Sequence, residues 1–416
     1  MFALYSSALL LISALSLTTP ALGKTSAIIS KGYYTGWNSD DFPLDKVSWN
    51  KYTHLTYAFA ITTPDGKLSL EGSNPSGLAP FVQAAHDNGV KASVGIGGWT
   101  GSMFFSTSIG SPENRTAFVK TVTDFATQYN LDGLDMDWEY PNRQGIGCNA
   151  ISPDDTANLL AFLQELRKDP IGSKLSLSAA VSLGVYNDAS GSPSTDVSGF
   201  GDVLDYMVIM GYDIWGSWSS SVGPNAPLND TCAAPANQQG SAIWSVQKWN
   251  SAGIPFNKIV LGVPGYGHAF TVRQKDAFQK NSNTKLTKYP PFDKEDRARG
   301  DAWSDPAGKD VCGTENPAGD TYNFWGLVEN GFLNTDVKRY DVLASDWGGG
   351  TKQRRQAYVY NPDKEVMVSY DDANAADHKG HFIKNFGLAG FSLWHAGSDY
   401  NDILLDSIRK AAGFKN

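Results

Sequence analysis

The stretch Asp132-Gly133-Leu134-Asp135-Met136-Asp137-Trp138-Glu139-Tyr140-Pro141 sets four carboxylates at fixed spacing among apolar neighbours. Side chains in an extended strand alternate faces, so Asp135, Asp137 and Glu139 point one way, each roughly 6.6 Å from the next, while Leu134, Met136 and Trp138 point the other. Carboxylates held in file repel one another. That repulsion keeps at least one proton in the stack and raises an apparent pKa, which is how a carboxylic acid stays protonated enough to serve as a general acid. Glu139, longest and last in the file, is the expected donor. A solvated acidic strand end or a divalent-cation site would use the same residue types. A cation site would draw further Asp, Asn or Glu from neighbouring strand ends, and the sequence offers no comparable cluster, so neither metal nor cofactor is expected.

Short β-branched and aromatic runs alternate with helical patterns along the rest of the chain. The expected strands are 30–36, 53–60, 90–97, 133–137, 175–181, 203–210, 259–264 and 388–394. Ser111-Pro112 is a helix start, an N-cap before proline in the first turn, and Phe118, Val122 and Phe125 follow at helical spacing. Ser152-Pro153-Asp154-Asp155 starts another, with Leu159, Leu160, Leu163 and Leu166 along it, and a last helix is expected over 402–412. Strand and helix repeated in this way imply parallel pairing with right-handed crossovers, in a closed barrel or an open doubly wound sheet. In a barrel the file would line the interior and climb toward the C-terminal mouth, where such enzymes keep their active sites. The spacing breaks between Tyr266 and about Phe386, more chain than one helix needs. A small α+β domain over 271–382, between the seventh and eighth strands, accounts for it, with a long loop as the alternative.

The 416 residues carry a net charge of -9, which argues against nucleic acid or an anionic membrane as partner, since both reward clustered Lys and Arg. Twelve tryptophans could supply flat faces for stacking on sugars, although large cores also hold many aromatics. Residues 1–23 carry no charged side chain and hold the apolar run Ala8–Ala14, which reads as a signal peptide and implies secretion, with 24–416 as the mature chain. Export agrees with sequons at Asn114 and Asn229. Of the three cysteines, Cys148 and Cys232 both follow strand ends and are the candidate disulfide, leaving Cys312 odd.

The acidic stretch resembles the signature of family 18 chitinases, Asp-x-x-Asp-x-Asp-x-Glu at the end of the fourth barrel strand. Asp132, Asp135, Asp137 and Glu139 fill every position. Tyr33-Tyr34-Thr35-Gly36-Trp37, Tyr57-Ala58-Phe59-Ala60, Met210-Gly211-Tyr212-Asp213 and Gly390-Phe391-Ser392-Leu393-Trp394 are similar to further family landmarks in the same order, over essentially the whole mature chain. The resemblance implies a TIM (β/α)8 barrel and hydrolysis of β-1,4-linked N-acetylglucosamine by substrate-assisted retention, without an enzyme nucleophile. It implies that Glu139 protonates the glycosidic oxygen, that Asp137 orients the acetamide N–H, that Asp135 shares a proton with Asp137, and that Tyr212 holds the acetamide oxygen. Trp394 becomes the floor of the subsite, which Tyr33, Phe59, Tyr140, Met210, Asp213 and Tyr266 complete, and Trp37 and Trp99 become stacking residues. The inserted domain becomes one wall of a deep groove, which in the family goes with chain-end action.

Two departures stand out. The third-strand motif is usually Ser-x-Gly-Gly, whereas Gly95-Ile96-Gly97-Gly98 puts glycine in the serine's place, so a hydrogen bond to the file is expected to be lost or taken by water. Tyr266-Gly267-His268 has histidine where the family tends to have arginine; His268 is a candidate hydrogen-bond donor to substrate, with a spacer role as the alternative, and its charge is expected to vanish near neutral pH. Two other readings stay open, a chitin-binding lectin and an endo-β-N-acetylglucosaminidase acting on N-glycans. The lectins typically lack the glutamate that Glu139 supplies, and the endo-enzymes usually lack such an insertion. A monomer is expected.

Overall fold

The computed structural model describes residues 28–282, 284–334 and 356–415. The expected signal peptide therefore lies outside the described residues. Eight parallel strands close on themselves in chain order: Ile29–Thr35, His54–Thr62, Lys91–Gly97, Gly133–Asp137, Ser176–Val181, Tyr206–Ile209, Ile259–Pro264 and Gly390–Trp394, the last pairing back on the first. This is the TIM barrel.

Local sequence explains the crossovers. Ser111 Oγ accepts from the Asn114 amide at 3.2 Å at the start of helix Pro112–Tyr129, which ends on Asn130 in the left-handed region, φ 54°. Phe118 and Val122 of that helix are buried and Phe125 packs against the core, and Leu159, Leu163 and Leu166 of helix Asp155–Lys168 are likewise buried. Strand residues alternate as their faces require. Leu134, Met136 and Trp138 join the core between sheet and helices, with Trp138 stacked on Phe105 at 5.0 Å. Asp135, Asp137 and Glu139 face the interior.

The run expected to be one strand from Val203 divides. Ser198–Val203 is a short helix, and the sixth strand begins only at Tyr206. Arg167 from the preceding crossover takes the Val203 carbonyl at 2.6 Å and the Asp205 carboxylate at 2.7 Å, which turns the chain before sheet pairing can start.

Between the seventh and eighth barrel strands lies a four-stranded antiparallel sheet, ordered Thr321–Asn323, Tyr266–Thr271, Val366–Tyr370 and Ala357–Asn361. Phe270, Val272, Tyr358, Tyr360 and Met367 give it a buried cluster of its own. A separate two-stranded hairpin, Gly308–Lys309 with Glu315–Asn316, projects from the same segment.

The expected disulfide is corrected here: Cys148 bonds to Cys312, and Cys232 is free and exposed. Position after a strand end says nothing of which loops meet above a barrel. Cys312 sits at the hairpin turn, which carries it to the loop following the fourth strand. Among the described residues no helix is long and apolar enough to cross a membrane. Asn114 is exposed and Asn229 half-buried.

Candidate active site

The acidic file stands where strand alternation puts it, and each carboxyl has a different environment. Asp135, deepest, is fully buried and saturated with donors. Its Oδ2 takes the Lys31 ammonium at 2.6 Å and the Tyr33 hydroxyl at 2.7 Å, and its Oδ1 takes the Ser178 hydroxyl at 2.5 Å. Lys31 and Tyr33 alternate to the same face of the first strand, and Ser178 is the residue paired with Asp135 across the fourth and fifth strands. The hydrogen bond expected to be lost at Gly95 is thus replaced from other strands. Gly95 lies beside Asp135 in the third strand, and a Cβ there would stand 2.7 Å from Phe59 Cδ1. Burial pushes the Lys31 ammonium down, and the Asp135 charge opposes that shift.

Asp137 is the opposite case. Its Oδ1 is buried and accepts no hydrogen bond among the described residues. Burial, then the Glu139 and Asp135 charges, push its pKa well above the usual carboxylate range. Gly97 makes the strand end possible: its φ is +107°, and a Cβ would stand 2.3 Å from the Asp137 carbonyl. Gly98, also at positive φ, gives its amide to that carbonyl at 2.7 Å.

Glu139 has 9% exposure at the top of the file. Burial raises its carboxyl to about 7, while a hydrogen bond from Tyr140 pulls the other way. Its backbone is clamped, with the amide donating to Ser102 Oγ at 3.1 Å and the carbonyl accepting from Asn149 Nδ2 at 2.7 Å. A buried acid that holds its proton near neutrality is what general-acid catalysis requires. Asp132 is not part of the file; its carboxylate takes the Ala92 amide and His86 Nε2, both at 2.8 Å, and ties the strand's start to its neighbour.

Aromatic side chains surround the acid. Trp394 stacks on Phe59 at 5.6 Å with 17° between planes, meets Tyr33 edge-on at 5.2 Å, and continues to Trp37 at 6.4 Å. Tyr212 and Tyr266 meet edge-on at 6.1 Å, with Met210 and Trp394 packed against them. Trp37 and Trp99 are about half exposed.

His268 corrects a second expectation. Both ring nitrogens are occupied, Nε2 by Asp213 at 2.8 Å and Nδ1 by Asp320 at 2.7 Å. Burial alone would lower its pKa, but the two carboxylates outweigh it and lift it to about 10, so the ring is charged at neutral pH and has no donor left for a substrate. It positions Asp213 instead, which also accepts from the Tyr266 hydroxyl at 2.5 Å.

Sequence reasoning missed Lys31, Ser178, Ser102, Asn149 and Trp218. Lys31 carried a usable signal, since a charged residue two places before an inward tyrosine must also face inward and needs a partner. Trp218, 59% exposed and set against the His268 ring at 5.1 Å, extends the aromatic surface from the loop after the sixth strand. Among the described residues no group of three His, Cys, Asp or Glu is placed to hold a metal ion.

Comparison with known proteins agrees with this geometry. The family model for glycosyl hydrolases family 18 matches residues 30–399. A chitinase-like effector of Moniliophthora roreri is 61% identical over 100% of both chains. One from Moniliophthora perniciosa is 55% identical over 94% of this chain and 88% of its own. The crystal structure of the chitinase RmChi1 from Rhizomucor miehei superposes with TM-score 0.80 at 31% identity, over 92% of this chain and 99% of that one.

Proposed function

This chain belongs to glycosyl hydrolases family 18, and on that premise we propose that it is a secreted chitinase, cutting β-1,4 links between N-acetylglucosamine units with retention of configuration. The observation that carries the reading is the unpartnered, buried Asp137 Oδ1 directly below an acid that holds its proton to about pH 7. A buried acceptor without a donor is costly unless a ligand satisfies it. An acetamide N–H is a donor of the right kind, and the Tyr212 hydroxyl, near enough to feel the Asp137 and Glu139 charges, would donate to the acetamide oxygen.

Glu139 gives its proton to the glycosidic oxygen as the sugar's own acetamide oxygen attacks the anomeric carbon. The leaving chain departs with the proton. Glu139, now a carboxylate, takes a proton from the water that opens the cyclic intermediate, and so returns to its starting state. Asp137 stabilises the positive charge on the acetamide nitrogen. Trp394 carries the distorted ring, and Trp37, Trp99 and Trp218 hold the chain on either side. Secretion rests on the leader-like residues 1–23 and is supported by the Cys148–Cys312 bond, which persists in oxidising compartments.

The saturation of Asp135 favours a second reading. Three donors from other strands already occupy the Asp135 carboxylate, and none of them comes from Asp137. Two similar proteins are named chitinase-like effectors. In that reading the chain holds chitooligosaccharide and cuts it slowly or not at all.

Chitooligosaccharides and their fully deacetylated counterparts separate these. A substrate-assisted hydrolase binds and cuts the first and cuts none of the second. A sugar-holding protein binds the first without cutting, and a chain that binds neither is no chitin-directed protein.

A further inference from the structure

The Cys148–Cys312 bond ties the turn of the hairpin Gly308–Lys309/Glu315–Asn316 to the loop that follows the fourth strand. Cys148 follows the fourth strand, which in an eight-strand ring stands across from the eighth. The segment that carries Cys312 is rooted on the eighth-strand and first-strand side. There Trp303 stacks on His395 at 5.8 Å and donates to Asp41 at 3.1 Å, and Asp301 accepts from the Asn323 side-chain amide. The root closes where the Gly319 amide meets the Asp305 carbonyl at 2.8 Å. From there the hairpin leaves the body, and its ladder residues Gly308, Lys309, Glu315 and Asn316 are all exposed.

From these anchors we infer that the hairpin between Asp305 and Gly319 is a covalently tethered roof over the acidic file, making the groove a passage that an unbranched chain enters by an end. Its reach is sufficient: a run from Asp305 to Cys312 can span up to about 23 Å, while eight strands about 4.8 Å apart and tilted about 36° close a ring roughly 15 Å across. Both anchors lie on the face where the strands end, so the path between them passes above Glu139 and the Trp394 floor. Exposure along the ladder is what a span over an open groove would show. The far anchor also bears on the acid, because Asn149, next to Cys148, holds the Glu139 carbonyl.

The inference rests on the reading of the groove as a chitooligosaccharide site, and the test separates the two. The Glu139→Gln protein, which leaves its ligand intact, is titrated with chitohexaose carrying a bulky fluorophore at one end or at both. The tethered protein is expected to bind the singly capped sugar and to bind the doubly capped one at least about tenfold more weakly, since a capped end clashes with the roof. Adding Cys312→Ser or Cys148→Ser is expected to bring the two affinities together. Should those variants fail to fold, phosphine reduction of the folded protein gives the same comparison. Equal binding of both sugars by the tethered form overturns the roof and leaves the sugar site standing. Binding of neither overturns the sugar site, and the roof with it.

Discussion

The Lys31 ammonium lies 2.6 Å from the Asp135 carboxylate with both side chains shut off from solvent. A charge inside a barrel is tolerated when its partner is also there, and taking one partner away leaves the other buried and uncompensated. Lys31 is therefore expected to hold the Asp135 carboxylate in place at the base of the file, below Asp137 and Glu139.

Lys31→Met should destabilise the protein by about 3 kcal/mol, with the Lys31→Met/Asp135→Asn pair less destabilised than the sum of the two single changes. Denaturant titration of the four proteins reads this directly. Strict additivity would show that the ion pair is not coupled.

The basic limb of the pH profile should belong to Glu139. The donor must carry its proton, and its pKa is raised to about 7, so kcat/KM should be level below that value and fall tenfold per unit above it. The same shift runs against stability, because a carboxyl whose folded pKa lies above its unfolded one contributes stability at low pH that is lost as pH rises through about 7. A rate that stays level to pH 9 on a soluble chromogenic substrate would remove Glu139 as the acid.

His268→Gln should raise KM more than it lowers kcat, because His268 aligns Asp213 rather than touching the reacting atoms. The folded pKa of about 10 exceeds the ordinary 6.5. The stability contributed by this charge is then complete below about 6.5, declines as pH rises from there, and is gone above about 10. Melting curves of wild type and variant should converge along that course. A constant gap across the range would show that the imidazolium is not what holds the two carboxylates.

Gly95→Ser puts back the residue that the family usually carries, and it should harm this protein. The new Cβ would press on Phe59 at 2.7 Å, and Phe59 supports Trp394. A cost of about 1–3 kcal/mol in stability is expected from such overpacking, with weaker chitooligosaccharide binding. A variant as stable as wild type and equal in binding would show that the ring has room to move.

The acidic file and most barrel strands were legible because residue pattern is local: Gly133–Asp137 reads from its alternation and Ile259–Pro264 from a short apolar run. The helix at Ser198–Val203 was not legible, because a guanidinium from another crossover decides where that chain turns. The disulfide partner, the Ser178 hydrogen bond and the charge on His268 each depend on which loops and strands meet in space. Residue type hinted at Lys31 and Trp218, but the partners that give them a role come from distant segments.

The most direct test of the central claim is hydrolysis of chitohexaose by wild type and by Glu139→Gln, with products resolved by mass and by anomeric form before mutarotation. The account predicts β-configured products from wild type and a loss of several orders of magnitude in Glu139→Gln, with sugar binding retained. Products of α configuration, or a Glu139→Gln protein that cuts as fast as wild type, would contradict it.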